Sequence, residues 1–280
     1  VSIVNDTTAY AVGEVYGYDS LGNVDQQPYN FATWNGRTWV AQKVPYMYMV
    51  QPFYGPLQTL WAFSPTNIWL GVGNMIHWDG KNFNPIQMPS DAWGPYGMYK
   101  IWGYGDEFYV VGDSGKIAHW NGSTWEKVES PATLLLWDIW GAVDPSTGQK
   151  TILAVGSQRA GGNGMCVLEI NGLTAKIIDD SGMYPGEVGV WLAPGGPYYI
   201  VGNSVYEKSS LMSAGWKSIA SLTPDFTEAV RGTAKNNIFI VGDFGTVLHF
   251  NGLTWKNYLN DASFPNVQGA LWLSLAMKGN

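Results

Sequence analysis

The sequence predicts an all-β chain, a six-bladed β-propeller of four-stranded antiparallel blades. Three observations predict it: an apolar run ending in glycine that recurs six times, an Asn-Gly or Asp-Gly phrase after most copies, and a Trp phrase before them. Four short strands repeating every ~40 residues is the pattern of propeller blades.

The first phrase occurs as Ala11-Val12-Gly13, Gly71-Val72-Gly73, Val110-Val111-Gly112, Ala154-Val155-Gly156, Ile200-Val201-Gly202 and Ile240-Val241-Gly242. The copies are 60, 39, 44, 46 and 40 residues apart. Its β-branched and aromatic residues favour a buried strand, called B here. The second phrase reads Thr33-Trp34-Asn35-Gly36-Arg37-Thr38-Trp39, and returns at His77–Phe83, His119–Trp125 and His249–Trp255, with a weaker copy at Glu169–Thr174. Asn-Gly or Asp-Gly between alternating apolar runs is a strong hairpin signal, because a two-residue type I′ turn needs φ > 0 at both central positions. It joins strands C and D. The third phrase supplies strand A: Leu60-Trp61-Ala62, Ile101-Trp102-Gly103, Ile139-Trp140-Gly141, Val190-Trp191-Leu192 and, with Arg for Trp, Val230-Arg231-Gly232. One domain, 1–280, follows. Its blades lie near 1–45 with 267–277, then 46–90, 91–131, 132–180, 181–223 and 224–266.

These phrases resemble the repeats of secreted bacterial β-propellers of the type Ile-Trp-Gly, Val-Gly-Asp, His-Trp-Asn-Gly-x-Thr-Trp. Residues 99–130 and 228–259 match most closely. The hairpin is also distantly like the Asp-box of sialidase-type propellers, which has a residue between Asp and Gly that this chain lacks. The resemblance implies the fold and says little of function, because propellers host many roles. Unit 5 departs from the pattern, with Lys208 to Gly215 where the Asn-Gly turn belongs.

Unit 1 has no Trp phrase, whereas Gln268 to Leu275 reads as a strand A with nothing after it. The expectation is that this terminal strand, centred on Leu271, Trp272 and Leu273, completes blade 1. Within its own chain it closes the ring; exchanged with a neighbour it builds a head-to-tail polymer.

Composition narrows the function classes. Charged residues make up 13% against an ordinary value of about 25%, aromatics reach 15%, and the net charge is −7 without a basic run. A nucleic-acid surface is not expected, because phosphate neutralisation needs clustered Lys and Arg. No apolar stretch approaches the ~20 residues of a membrane-spanning helix. A single cysteine, Cys166, leaves no intrachain disulfide and no multi-Cys zinc site. The chain opens at Val1 without an initiator Met, which leads to the expectation of a mature product released from a targeting segment, hence an extracellular or cell-surface setting.

In a meander the B–C and D–A connections share one end of each blade, and the insertions fall there: 14–30, 44–58, 89–98, 157–164 and 179–187. Long connections carry function more often than short turns. The aromatics on them, Tyr18, Tyr46, Tyr48, Tyr54, Trp93, Tyr96 and Tyr184, are the candidate binding residues, with Tyr16, Tyr29 and Phe53 beside them. Tyr and Trp offer large contact area with a polar handle, which suits protein or glycan partners. His77, His119 and His249 recur at one place in three blades, so they read as structural and not as a metal site. Asp19, Asp25, Asp91, Asp179, Asp180 and Glu187 are the carboxylates a glycosidase would draw on, but no two are brought together by spacing. Arg37, Arg159 and Arg231 are too few for a sialidase-like grip. No cofactor is called for; the acidic loop 179–187 is the one place where calcium is considered.

The reading that results is a non-catalytic extracellular structural or interaction protein. Its partners are copies of itself or another surface protein, with self-assembly into a filament or layer through the terminal strand or loop face. The alternatives are a glycan-binding, lectin-like propeller and a glycoside hydrolase or lyase.

Overall fold

The computed structural model describes residues 1–18, 20–48, 51–158, 164–259, 261 and 269–278, without the side chains at 48 and 220. It contains six four-stranded antiparallel meanders, in chain order, and no α-helix among these residues. Blade 1 is β1 (Ser2–Asn5), β2 (Thr8–Val15), β3 (Tyr29–Trp34) and β4 (Trp39–Gln42). A two-stranded hairpin, β5 (Tyr46–Tyr48) and β6 (Gln51–Phe53), sits in the connection to blade 2, which is β7 (Thr59–Ser64), β8 (Asn67–Gly71), β9 (Met75–Trp78) and β10 (Phe83–Ile86). Blade 3 is β11 (Met98–Tyr104), β12 (Glu107–Gly112), β13 (Ile117–Trp120) and β14 (Trp125–Lys127). Blade 4 is β15 (Leu136–Val143), β16 (Lys150–Ser157), β17 (Met165–Asn171) and β18 (Thr174–Ile178). Blade 5 is β19 (Gly189–Leu192), β20 (Tyr198–Val201), β21 (Val205–Lys208) and β22 (Lys217–Ser218); blade 6 is β23 (Thr227–Ala234), β24 (Asn237–Gly242), β25 (Val247–Phe250) and β26 (Trp255–Asn257). Two compact units divide the chain, one of residues 1–110 and 118–127, the other of 111–117 and 128–280.

The apolar runs become strands because burial on both faces stabilises them. In β16 Leu153, Ala154 and Val155 are fully buried, as are Tyr199, Ile200 and Val201 in β20. The Trp phrase packs one blade on the next, and its glycine is part of the fit. A Cβ on Gly103 would lie 2.8 Å from the Trp61 indole nitrogen, and one on Gly232 would lie 2.7 Å from the Trp191 ring. Bare backbone at these two places lets the preceding blade's Trp approach the strand closely. One strand-A position also carries a bond between blades. Thr59 Oγ1 accepts the Ile101 N–H at 3.1 Å, and Asp138 Oδ2 accepts the Val190 N–H at 3.0 Å.

The three histidines are cross-strand partners. His77 stacks on Trp69 at 4.4 Å, His119 on Tyr109 at 4.3 Å and His249 on Phe239 at 4.2 Å. His77 and His249 also meet Asn67 and Asn237 through Nε2, while His119 Nδ1 meets Glu126. Burial lowers the His77 pKa below its ordinary value.

Two expectations need correction. In blades 1, 2, 3 and 6 the C–D phrase does not make a two-residue type I′ turn; in blade 4 Asn171 pairs with Thr174 across two residues, of which Gly172 alone has positive φ. In blade 1 the register pairs Trp34 with Trp39, leaving a four-residue turn in which only Gly36 has positive φ, at +90°. The Asn35 carboxamide oxygen accepts the N–H groups of Arg37 and Thr38, each at 3.0 Å. Asp79, Asn121 and Asn251 do the same in their blades. The Asn or Asp side chain closes the turn by capping backbone donors, a role these residues perform well.

Blade 1, moreover, is not completed from the C-terminus. Its inner strand is β1, paired with β2 through Ser2↔Tyr10 and Ile3↔Ala9, with Ser2 Oγ accepting the Ala62 N–H of blade 2. A local hairpin closes a loop of few residues, so its entropic cost is far below that of recruiting a strand from the far end of the chain. The segment 269–278 follows blade 6 instead. The Trp272 N–H donates to Gly242 O at 3.2 Å, as Met98 does to Val72 and Thr227 does to Gly202. Trp102 and Arg231 each stand four residues after the donor, so in the terminal segment that place falls to Ala276. Leu275 packs against Ala229, Val241 and Val247. Trp272 is therefore not the Trp of the repeat, and Leu271, Trp272 and Leu273 are exposed.

Candidate interaction site

The largest insertions of the first unit lie in blade 1 and in its connection to blade 2. The loop after β2 folds back on itself: the Asp25 N–H donates to Gly17 O at 2.9 Å, and Tyr18 and Val24 form a β-bridge. Gly22, with φ of +81°, makes the reversal at its tip. This closure turns apolar side chains outward. Tyr18 is 76% exposed and Leu21 84%, with Val15, Tyr16 and Val24 also exposed. The Tyr16 hydroxyl donates to Glu14 at 2.6 Å, and this bond raises its pKa.

The loop is tied to the hairpin beside it. Lys43 Nζ meets Asp25 Oδ2 at 2.5 Å and lies 4.9 Å over the Tyr29 ring. The Lys43 ammonium holds the Asp25 pKa below the usual carboxylate range. Asn30, buried at the start of β3, is the stronger anchor. Its oxygen accepts the Val44 N–H at 2.8 Å, and its Nδ2 donates to Val44 O and Gly55 O, both at 2.9 Å. One side chain thus holds both ends of the hairpin connection, whose Met47 and Phe53 are exposed. Asn30→Ala should cost about 2–3 kcal/mol, because buried backbone groups lose partners, and should make 44–55 the first site of limited proteolysis. Unchanged stability and an unchanged cleavage map would refute the anchor.

The structure sorts the predicted aromatics. Tyr18 and Tyr184 face solvent; Tyr54 and Tyr96 are half-buried. Tyr46 is buried with its ring edge-on to Phe53 at 5.6 Å, and Trp93 is 1% exposed, donating its indole N–H to Tyr96 O at 2.7 Å. These two pack their connections down and are corrected from surface to core. The side chain of Tyr48 lies outside the described residues, as do Asp19 and Arg159. Leu21, Val24 and Met47 were missed by reasoning restricted to aromatics; an aliphatic residue at a Gly-Asn turn was the available signal.

Of the acidic candidates, Asp25 pairs with Lys43, two others cap backbone donors, and Glu187 is buried. Asp179 accepts the Ser181 and Gly215 N–H groups, and such donors lower its pKa to about 2. Asp91 caps the Ala92 N–H. Glu187 is fully buried, and burial pushes its pKa up to about 8. No group of three His, Cys, Asp or Glu side chains converges among the described residues.

No family model matches the chain, and no curated protein does. Solved structures do. YCF48 bound to D1 peptide is 13% identical over 94% of this chain and 88% of its own, with a TM-score of 0.62. The extracellular domain of the putative one component system BT4673 from B. thetaiotaomicron is 10% identical, covering 93% of this chain and 34% of that one, with a TM-score of 0.58. The computationally designed Ika8 protein is 12% identical over 91% and 84%, with a TM-score of 0.56. Identities this low speak for fold alone, and together with six consecutive four-stranded meanders they make this chain a six-bladed β-propeller.

Proposed function

We propose that this protein is a non-catalytic interaction module that takes an extended apolar segment of another protein on the loop end of its first unit. The observation that carries the reading is the pinned loop 16–25, which holds Tyr18, Leu21 and Val24 in solvent beside a hairpin exposing Met47 and Phe53. Exposed apolar residues scattered singly need no explanation, whereas several on adjoining, anchored insertions mark an interaction surface. Rigid anchoring also lowers the entropy lost on binding. YCF48, a propeller of similar fold, is known bound to a peptide, which supports a polypeptide over a glycan here. An extracellular or cell-surface setting belongs to the same reading, supported by the low charge and by a structural neighbour that is an extracellular domain. Another surface protein is the partner this favours. Self-assembly through blade 1 loses its support, because β1 already fills the inner position.

The test is a displayed library of random peptides selected against the protein and against the variant Tyr18→Ala/Leu21→Ala/Phe53→Ala. Enrichment of aromatic and aliphatic peptides is expected, with affinity falling roughly 30-fold or more in the variant, since interface anchors contribute about 2 kcal/mol or more each. The variant's stability should change by about 0.5 kcal/mol or less at Tyr18 and Leu21, and by about 1 kcal/mol at Phe53, whose ring also packs on Tyr46. Equal selection by both proteins, or saturable binding only on a glycan panel, overturns the proposal.

A further inference from the structure

The C–D connection of blade 5 is where the Asn-Gly turn of the repeat is replaced by Lys208–Gly215. Residues 209–216 fold over the blade in place of a tight turn. The Trp216 indole N–H donates to Asp179 O at 2.9 Å, the Trp216 N–H to Ser181 O at 3.0 Å and the Gly215 N–H to Asp179 Oδ2 at 2.9 Å. An open cleft of about 430 Å³ results, lined by Glu207, Lys208, Ser209, Ser213, Gly215 and Trp216 among others.

Lys208 is the unusual residue. Only 3% of it is exposed, in a position where a lysine is ordinarily in solvent. Its ammonium lies 3.8 Å from Asp179 Oδ2 and 5.3 Å from the centre of the Trp216 ring. The first distance exceeds a hydrogen bond, and Asp179 already spends its oxygens on backbone donors. Among the described residues the ammonium thus has an ion-pair partner and an aromatic face but no hydrogen-bond acceptor, and its residue lines the cleft. An oxygen acceptor entering the cleft would supply a charge-assisted hydrogen bond that the protein itself leaves open.

We infer that this cleft binds a carboxylate, with Lys208 as the charged contact and Trp216 as its apolar wall. Charge decides between anions. Lys208 and Lys217 are matched by Asp179 and Glu207, so no net positive charge is left over to hold a dianion, and a monoanion is the better fit. The carboxylate belongs either to a free small acid or to a peptide C-terminus. The site is independent of the loop-end interface proposed above.

The experiment is an NMR titration of the wild-type protein at constant ionic strength, following the Gly215 amide and the Trp216 indole N–H. The probes are acetate, inorganic phosphate at pH 8, and a tripeptide with a free or an amidated C-terminus. Saturable shifts with acetate and the free-acid peptide, and not with the amide, are expected. Acetate alone points to a free acid, and tighter binding of the peptide points to a chain end. Lys208→Met should weaken binding roughly tenfold to a hundredfold, as loss of a charge-assisted hydrogen bond does. Lys208→Arg should retain it within a few-fold and serves as the control should the methionine variant fail to fold. Absence of saturation in the wild type, equal binding by Lys208→Met, or phosphate binding as tight as acetate would falsify the inference.

Discussion

Replacing Arg231 with methionine is expected to cost about 3–5 kcal/mol of folding stability, the largest loss from any single substitution considered. Arg231 occupies the place that Trp holds in blades 2 to 5, and it is 3% exposed. Its guanidinium grips Asp138 of blade 4 with two bonds, Nη1 to Oδ2 at 2.9 Å and Nη2 to Oδ1 at 2.8 Å. Nη1 also donates to Val190 O of blade 5 at 3.1 Å, and the group lies 4.4 Å over the Trp140 ring. Three consecutive inner strands are joined by one side chain. Methionine fills comparable volume but leaves the Asp138 carboxylate buried without its cationic partner, while it still accepts the Val190 N–H. That asymmetry gives a sharp test. The double variant Asp138→Asn/Arg231→Met removes both charges, keeps an oxygen for Val190, and should recover most of the loss in urea denaturation. A double variant no more stable than the single one would show that shape and not charge sets the cost.

The second large effect is a pH dependence set by Glu187. Its carboxyl is fully buried at the start of blade 5, where Met98, Leu136 and Thr227 stand in blades 3, 4 and 6. The N–H groups of Asn203 and Ser204 point toward it and draw its pKa down, but neither oxygen attains hydrogen-bond geometry. Burial therefore wins and lifts the pKa from 4.5 to about 8. The sign follows from proton counting. Between these values the folded protein keeps a proton that the unfolded chain has released, so stability falls as pH rises. The contribution is full below about pH 4.5 and is lost as pH passes through about 8. The slope from this group approaches 1.4 kcal/mol per pH unit, for a total of about 3–5 kcal/mol. Glu187→Gln should remove that slope and exceed the wild type in stability at pH 9. Parallel stability curves for the two proteins from pH 5 to pH 9 would refute the assignment. The position matters structurally, because Glu187 O accepts the Ser157 hydroxyl of blade 4 at 2.7 Å.

Much of the fold was legible because it is periodic. Strand B is buried in blades 2 to 6 as its apolar run predicts, though Ala11, Val12 and Gly13 of blade 1 are only half-buried, and the Trp-Gly pair shows the packing of one blade on the next. The C–D turn was legible in place but not in kind, since φ at Gly36 and the capping by Asn35 are settled by local hydrogen bonds that the dipeptide alone does not reveal. Blade 1 was misassigned because Ser2–Asn5 lacks the Trp phrase. Pairing needs only an extended segment and a short turn, and β1 has both.

The site was less legible. Tyr18 and Trp93 look alike as aromatics on long connections, yet one is in solvent and the other in the core. What separates them is the chain around each: a closed loop with a glycine at its tip for Tyr18, and a carbonyl three residues on that receives the indole N–H for Trp93. Arg231 and Asp138 are 93 residues apart, and the Lys208 cleft depends on Asp179 of the preceding blade.

By itself the sequence determined the number of blades and, in blades 2 to 6, the order of their strands, because those depend on alternation and turns within about 40 residues. Tertiary structure alone decided which strand opens blade 1, which aromatics are surface, and where charges are buried. These are outcomes of competition between distant segments for the same partners, and no local pattern records which segment wins.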